Sequence, residues 1–272
     1  MVVEKVYVTS EEYLRREREA EFKSEYVNGE IIPMGDHYPT IMAGASTNHN
    51  LIKENVSFHI SFRIRSDGKG CRSMSSDQRV NVPTDSMYAY PDIVVVCGPN
   101  QYHSDVHDTI TNPTLIVEVL SPGTASFDRG DKFALYRHSP TFAEYVLIDS
   151  EKIRAEVYRK HEQGYWFLAS EADKSGEAIE LASIDLSLPI LTIYDETEVE
   201  LAGSTSRTAT GREQNLVTIN DANFAASSES VQTLIGIHEM FVGPITQFMA
   251  YEKGFGLTSE QLAGIRGKLG VQ

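Results

Sequence analysis

The 272-residue sequence has few cysteines and no long apolar run. Its two cysteines, Cys71 and Cys97, are too few for a disulfide framework or a zinc cage, so we predict that each is a small apolar filler in a strand. A membrane-spanning helix would need about 20 apolar residues in succession, and the sequence offers none. The first twenty residues are highly charged, so we expect no signal peptide and a cytoplasmic protein.

Basic residues are also scarce. The chain has 24 Lys and Arg against 39 Asp and Glu, which gives a net charge of −15. Tight non-specific binding of nucleic acid depends on Lys and Arg that neutralise phosphates, so this composition argues against it. A local basic groove remains compatible with the composition, as does a bound metal ion that supplies positive charge.

Three common catalytic motifs are missing. No glycine-rich dinucleotide motif and no Walker motif is present, which excludes the usual nucleotide-binding loops. Ser121 lies in "LSPGT" and lacks the flanking glycines of a nucleophile elbow, so the sequence does not support nucleophilic serine catalysis.

Local patterns predict the first helices and a hairpin. Thr9 followed by Glu12 is a capping-box pattern and predicts a helix over 10–20. The Asn-Gly pair in "EYVNGEII" predicts a β-hairpin over 25–32. Residues 39–65 predict one long amphipathic helix. Its expected buried stripe is Ile41, Ala45, Asn48, Ile52, Val56, His59 and Arg63, with Ile60 and Ile64 beside it.

The remaining pattern alternates strands and helices up to about residue 200. We predict strands at 71–75, 77–82, 92–97 and 114–120, a helix over 126–138, and a meander formed by "EYVLIDS", "IRAEVYRK" and "YWFLAS". The small polar segment 201–212 is typical of a linker. Beyond it, 213–272 is predicted to be a helical C-terminal extension, with helices at 229–251 and 258–269.

Glu118 is an ionisable residue inside the apolar run "TLIVEVL". Such a run predicts a strand that is buried on both faces. An unpaired buried carboxylate costs several kcal/mol, which is comparable to the net stability of a domain. Glu118 must therefore be paired, bound to a metal ion or protonated.

Asp92 is a second carboxylate, placed where the apolar run "YPDIVVVC" begins. If the two strands are antiparallel neighbours, the start of one adjoins the end of the other, and Asp92 and Glu118 face each other about 5 Å apart. Two carboxylates so close repel unless a cation lies between them. Oxygen ligands with positions left for water suit Mg²⁺ or Mn²⁺, and such a metal ion assists phosphodiester hydrolysis.

The predicted helix after Glu118 carries further polar residues on one face. Asp128, Lys132 and Tyr136 recur at i, i+4 and i+8. Lys132 is placed to orient an attacking water and steady a phosphate. Asp128 is placed to hold Lys132, and Tyr136 to pack with its hydroxyl outward.

Each residue also has a structural explanation. Glu118 can form a buried salt bridge with Lys132 or with an arginine. Asp92 can cap a strand, and Asp128 can favour a helix dipole. His49, in the middle of the predicted helix, and Glu30, next to the Asn-Gly turn, are individually weaker candidates.

Several separated blocks resemble the Uma-type endonuclease family, formerly a domain of unknown function. They are "CRSMSSDQRVNV", "YPDIVVVC", "NPTLIVEVLSPGTASFDRGDKFALYR" and "EYVLID", and the match runs from about Val8 to Tyr194. The resemblance implies a PD-(D/E)XK restriction-endonuclease-like fold with a mixed β-sheet flanked by helices. It places Asp92 and Glu118 as the signature acids.

One position departs from the family signature. Leu120 stands where the signature has a lysine, and Lys132 is the natural substitute from the next helix. The family's "EYVNGE" and histidine blocks fall on Glu25, Glu30 and His49.

These observations lead to a first hypothesis and a rival. The first is a Mg²⁺- or Mn²⁺-dependent endonuclease that acts on DNA, with Asp92 and Glu118 as metal ligands and with Lys132, Glu30 and His49 as the remaining catalytic candidates. The rival is a non-catalytic scaffold or binding protein with the same fold. We expect a domain over 1–200 and a homodimer.

Overall fold

A computed structural model describes residues 7–34, 45–68 and 70–200. The fold class is the predicted mixed α/β architecture, with sheets flanked by helices. The predicted linker 201–212, the helical extension 213–272 and the start of the predicted helix at 39–44 lie outside the described residues. In the ranges given above, no helix is long and apolar enough to cross a membrane.

The elements alternate along the chain much as the sequence predicts. The strands are β1 Ser24–Val27, β2 Glu30–Pro33, β3 Cys71–Ser75, β4 Arg79–Asn81, β5 Met87–Ala89, β6 Ile93–Cys97, β7 Thr109–Ile110, β8 Leu115–Leu120, β9 Glu144–Asp149, β10 Ala155–Lys160, β11 Trp166–Ala172, β12 Ala178–Leu181 and β13 Leu186–Pro189. The α-helices are α1 Ser10–Glu19, α2 Thr47–Asp67, α3 Ala125–Phe127, α4 Phe133–Tyr136 and α5 Ile190–Ile193.

The strands form two main sheets and a small third one. The first sheet has the order β2-β1-β5-β4-β7, and the second has the order β11-β10-β9-β8-β6-β3. β12 and β13 pair separately. In the second sheet β6 and β8 are antiparallel, and Ile93 lies opposite Val117. This confirms the antiparallel pairing that the sequence analysis required for Asp92 and Glu118.

Two interior strands of the second sheet, β6 and β8, are apolar because both of their faces are covered. All six residues of β8 are buried, and so are the first four of β6. One face packs against Ile52, Val56, Ile60 and Ile64 of α2. The other packs against aromatic side chains of α4 and of the strands around it. A charged residue in β8 therefore has to find its partners inside the protein.

The predicted N-terminal helix and hairpin are confirmed. α1 begins after Thr9, whose Oγ1 accepts a hydrogen bond from the Glu12 backbone N–H. Asn28 and Gly29 form the turn between β1 and β2, and both have positive φ, which a hairpin of this type requires.

The buried stripe predicted for α2 is partly wrong. The helix begins at Thr47 after an N-cap at Ser46, whose Oγ accepts from the His49 backbone N–H. The stripe that faces the sheet is Ile52, Val56, Ile60 and Ile64. Arg63 instead reaches Asp185 at the surface, because a guanidinium has no partner within the apolar core.

The helix predicted over 126–138 is broken by a π-helical turn. α3 is followed by a π-turn at Asp128–Lys132 and then by α4. The Tyr145 hydroxyl donates to the Asp128 carbonyl within this turn. The wider turn leaves Asp128 and Lys132 buried, while Arg129 and Asp131 are exposed. Single π-turns of this kind are frequent at functional sites.

The prediction that Cys71 and Cys97 are separate apolar fillers is wrong. The two residues are direct cross-strand partners at one end of the β3–β6 pair, and they form a disulfide. Adjacent antiparallel strands bring such side chains within reach of each other. The bridge spans 26 residues of chain, and this segment includes β4 and β5 of the first sheet.

We expect loss of the disulfide to lower the free energy of unfolding by about 3–4 kcal/mol, because a closed loop of this length restricts the unfolded chain. The measurement is denaturant unfolding of the Cys71→Ser/Cys97→Ser double variant and of wild type, each with and without a thiol reductant. Reductant should destabilise only wild type. Equal stability of oxidised and reduced wild type would contradict a bridge at this position.

Candidate active site

The centre of the candidate site is the ammonium group of Lys132. Its Nζ lies 3.1 Å from Glu25 Oε1, 3.0 Å from Glu118 Oε1 and 3.5 Å from Asp128 Oδ1. All four side chains are at least 94% buried. We refer to these residues as the Lys132 cluster. It holds three carboxylates around one cation.

Three different parts of the fold supply the cluster. Glu25 comes from β1 in the first sheet, and Glu118 comes from β8 in the second. Asp128 and Lys132 come from the π-turn that follows β8. Glu25 Oε1 also accepts the backbone N–H of Tyr90 at 3.0 Å, which fixes its orientation. Lys132 therefore joins the two main sheets through ionic contacts.

Asp92 adjoins the cluster immediately before the start of β6. Its Oδ2 accepts the Val119 backbone N–H at 2.8 Å, and its own backbone N–H points to Glu118 Oε2 at 3.4 Å. His49 Nε2 lies 3.3 Å from the same Oδ2. These contacts bring Asp92, Glu118 and His49 together, as the sequence analysis anticipated. His49 Nδ1 is buried and has no hydrogen-bond partner among the described residues.

Asp128, Lys132 and Tyr136 do share one face, as their spacing predicts. The expectation that the Tyr136 hydroxyl points outward is wrong, however. This hydroxyl is buried and donates to Glu118 Oε1 at 3.3 Å. Since Oε1 also contacts Lys132, it takes part in two polar contacts, and a phenol directed into the core gains a partner that it needs there.

The hairpin contributes Glu25 to the Lys132 cluster. Glu30 begins β2, which pairs with β1, and it is only partly buried. Its role in the site stays a prediction. Residue-by-residue reasoning gave no ground for selecting Glu25. The one signal in the sequence was the resemblance of "EYVNGE" to a family block.

Leu120, which occupies the position of the signature lysine, is buried in the apolar cluster beside Phe133 and Leu147. A lysine at this position would enter that apolar cluster. Lys132 instead reaches Glu118 from the π-turn. This contact supports the hypothesis that Lys132 takes the place of the signature lysine.

Burial and excess negative charge perturb the acid–base behaviour of the cluster. Burial raises the pKa of Glu118 well above its usual range; the carboxylates of Asp128, Asp92 and Glu25 raise it further, and Lys132 opposes them. Burial lowers the pKa of Lys132, but Glu118 and Glu25 more than compensate and hold it above its ordinary value. Lys132 therefore stays protonated, and the raised pKa of Glu118 favours the protonated form of its carboxyl group.

The donor set fits a divalent cation held in an open site. Asp92 and the Lys132 cluster together contain four carboxylates and one ammonium, and this excess of negative charge favours an added cation. Among the described residues, no group of three or more His, Cys, Asp or Glu forms a metal cage. A closed structural centre is thus absent from that part of the chain. Two carboxylates with waters and phosphate oxygens are an ordinary Mg²⁺ arrangement.

Removing the cation of the cluster should lower the free energy of unfolding much more than removing one of its anions. Lys132→Met should lower the free energy of unfolding by about 3–5 kcal/mol, because three buried carboxylates lose their partner. Glu118→Gln should cost little. The raised pKa means that ionisation of Glu118 costs stability as pH rises through that pKa, and glutamine avoids this cost.

Denaturant unfolding between about pH 5 and about pH 9 measures both effects. The stability of Glu118→Gln relative to wild type should increase with pH. Asp131→Asn is the matched control, since Asp131 is exposed in the same π-turn. A Lys132→Met protein as stable as wild type, or a Glu118→Gln effect independent of pH, would refute the charge balance described here.

Proteins similar to this chain occur in cyanobacteria. The uncharacterized protein slr1290 of Synechocystis sp. is 35% identical over 187 residues, which cover 69% of this chain and 91% of slr1290. The uncharacterized protein sll1609 of the same organism is 36% identical over 170 residues, or 62% of this chain and 90% of sll1609.

A solved structure shares the fold. It is described as a "putative nuclease belonging to DUF820" from Anabaena variabilis, and it matches with a TM-score of 0.53 at 20% identity. The match covers 69% of this chain and 97% of that one. At this identity the likeness establishes the fold alone.

The family assignment rests on the sequence itself. The model of the Uma2 family, described as "Putative restriction endonuclease", matches residues 10–190. This range covers well over half of the chain and contains every residue of the Lys132 cluster, together with Asp92 and His49. It confirms the resemblance recognised in the sequence, and the chain belongs to the Uma2 family.

Proposed function

We propose that this protein is a Mg²⁺- or Mn²⁺-dependent nuclease that hydrolyses phosphodiester bonds of DNA. Membership of a restriction-endonuclease family supports a nuclease-like function. The observation that carries the proposal is the buried excess of carboxylates at the adjoining ends of β6 and β8. Such an excess is costly in a purely structural network and is useful where a metal ion binds.

Asp92 and Glu118 would hold the metal ion. The contacts of Asp92 with Val119 and His49 both engage Oδ2, and Oδ1 makes no hydrogen bond among the described residues. Glu118 likewise uses Oε1 for Lys132 and Tyr136, while within the described part of the chain Oε2 has only the 3.4 Å contact with the Asp92 backbone N–H. When bound, a divalent ion would acidify a water and neutralise charge that develops on phosphate.

Lys132 is the candidate for positioning the attacking water and the phosphate. Its ammonium remains charged because Glu25 and Asp128 support it alongside Glu118. A compact ammonium in a dry site interacts strongly with phosphate oxygens. Electrostatic groups that are fixed before the reaction cost no reorganisation when charge develops.

His49 contacts the carboxylate of Asp92. The ring of His49 approaches Oδ2 from the N-terminal turn of α2, while the Val119 N–H approaches from β8. Two contacts on one oxygen hold the carboxylate in a fixed orientation. We assign His49 the role of orienting the metal-binding acid.

A non-catalytic scaffold is the competing function. The observation that favours it is the near-complete burial of Lys132 and its three carboxylate contacts, which could satisfy the ammonium without a substrate. The net charge of −15 also disfavours broad contact with DNA. Measurement of activity separates the two functions.

The test is cleavage of supercoiled plasmid DNA by the purified full chain in Mn²⁺ or Mg²⁺. Wild type should nick or linearise the plasmid, and a chelator should abolish the reaction. Asp92→Asn should lower the rate by a factor of at least about 10², because the loss of one electrostatic group from an active site typically slows the reaction by about 10²–10³. Asp131→Asn, which removes an exposed carboxylate nearby, should leave the rate unchanged.

Two results would exclude the nuclease and favour the scaffold. The first is a folded wild-type protein with no metal-dependent cleavage of double-stranded or single-stranded DNA. The second is cleavage that persists unchanged in Asp92→Asn, since contaminating nuclease would then be its source.

A further inference from the structure

Helix α2 carries apolar side chains on two opposite faces. Ile52, Val56, Ile60 and Ile64 face the second sheet and are buried. At a period of 3.6 residues, Leu51, Phe58 and Phe62 fall on the opposite side of the helix. A helix on the surface of a single domain normally has one apolar stripe and one polar face. The second stripe of α2 therefore indicates a second packing surface for this helix.

The outward stripe is accessible to solvent. Phe58 is 59% exposed, and Leu51 and Phe62 are partly exposed. The Phe58 and Phe62 rings stack with centroids 6.3 Å apart, so they form one continuous apolar surface. Aromatic side chains grouped in this way are typical of interaction sites, whereas single exposed apolar residues are ordinary.

Opposite charges flank the two phenylalanines on the same side of the helix. Glu54 lies one turn before Phe58, and Arg65 lies about one turn after Phe62. Both are exposed. We define the outer face of α2 as Leu51, Glu54, Phe58, Phe62 and Arg65. Its charge pattern is negative, apolar and positive along the helix.

We propose that the outer face of α2 binds the outer face of α2 in a second copy of this chain, with the two helices antiparallel. A two-fold axis close to residue 60 would bring Phe58 of each copy against Phe62 of the other. The same axis would bring each Glu54 close to the opposite Arg65. In a two-fold interface every such contact occurs twice.

The charge pattern disfavours a parallel arrangement of the same helices. Parallel pairing in register would place Glu54 against Glu54 and Arg65 against Arg65. Like charges at both ends oppose association, whereas the antiparallel arrangement makes both ends attractive. The outer face is thus complementary to itself in one orientation only.

A groove continues this surface beside the helix. It has a volume of about 350 Å³ and lies between α2 and β3, where Ser61, Arg65, Arg72 and Met74 contribute to its lining. β3 is the edge strand of the second sheet. Space of this kind beside a helix lets side chains of a packed partner interdigitate.

The experiment is the determination of the molar mass of the full chain by light scattering after size-exclusion chromatography at micromolar concentration. Wild type should have twice the 30.3 kDa mass of one chain. Phe58→Glu should be a monomer with an unchanged circular dichroism spectrum. Tyr165→Glu is the matched control, because Tyr165 is 52% exposed on a different surface, and this variant should remain a dimer.

Charge exchange tests the orientation. Glu54→Arg alone and Arg65→Glu alone should each weaken dimerisation by about tenfold, because two attractive pairs become repulsive. The double variant Glu54→Arg/Arg65→Glu should restore the affinity of wild type. A monomeric wild type, a dimeric Phe58→Glu variant, or a double variant weaker than both single variants would overturn the proposal.

Discussion

The ammonium of Lys132 links the parts of this fold that make a site. It contacts Glu25 of the first sheet, Glu118 of the second sheet, and Asp128 within its own π-turn. Burial makes each contact strong, but it also makes the cluster intolerant of losing its single cation.

The charge of the cluster is unbalanced. Lys132 neutralises one carboxylate, while Glu25, Glu118, Asp128 and the neighbouring Asp92 supply four. The protein can relieve the excess by protonating Glu118, whose pKa is raised, or by binding a cation. In the proposed function, a metal ion held by Asp92 and Glu118 would relieve the same excess of negative charge that raises the pKa of Glu118. A buried carboxyl group whose pKa is raised beside other acids is a common feature of functional sites.

Much of the site could be predicted from local sequence. The apolar runs around Asp92 and Glu118 are strong strand signals, and antiparallel pairing then requires the two acids to adjoin. The spacing of Asp128, Lys132 and Tyr136 correctly places all three on one helical face.

The features that could not be predicted depend on contacts between distant segments. Glu25 joins the cluster only because the first sheet packs near the π-turn, and no periodicity in a four-residue strand reveals this. Cys71 and Cys97 form a bridge because β3 and β6 pair in a register that places them opposite each other. The stripe of α2 was misjudged because the helix is apolar on both sides, so that spacing alone does not identify the buried face.

The most direct test is a calorimetric titration of the metal-free protein with Mn²⁺. The charge balance around Lys132 predicts one bound ion per chain, loss of binding in Asp92→Asn, and unchanged binding in Asp131→Asn, whose carboxylate is exposed. A folded wild-type protein that takes up no Mn²⁺, or an Asp92→Asn variant that binds as wild type does, would show that the cluster is a self-contained ionic network.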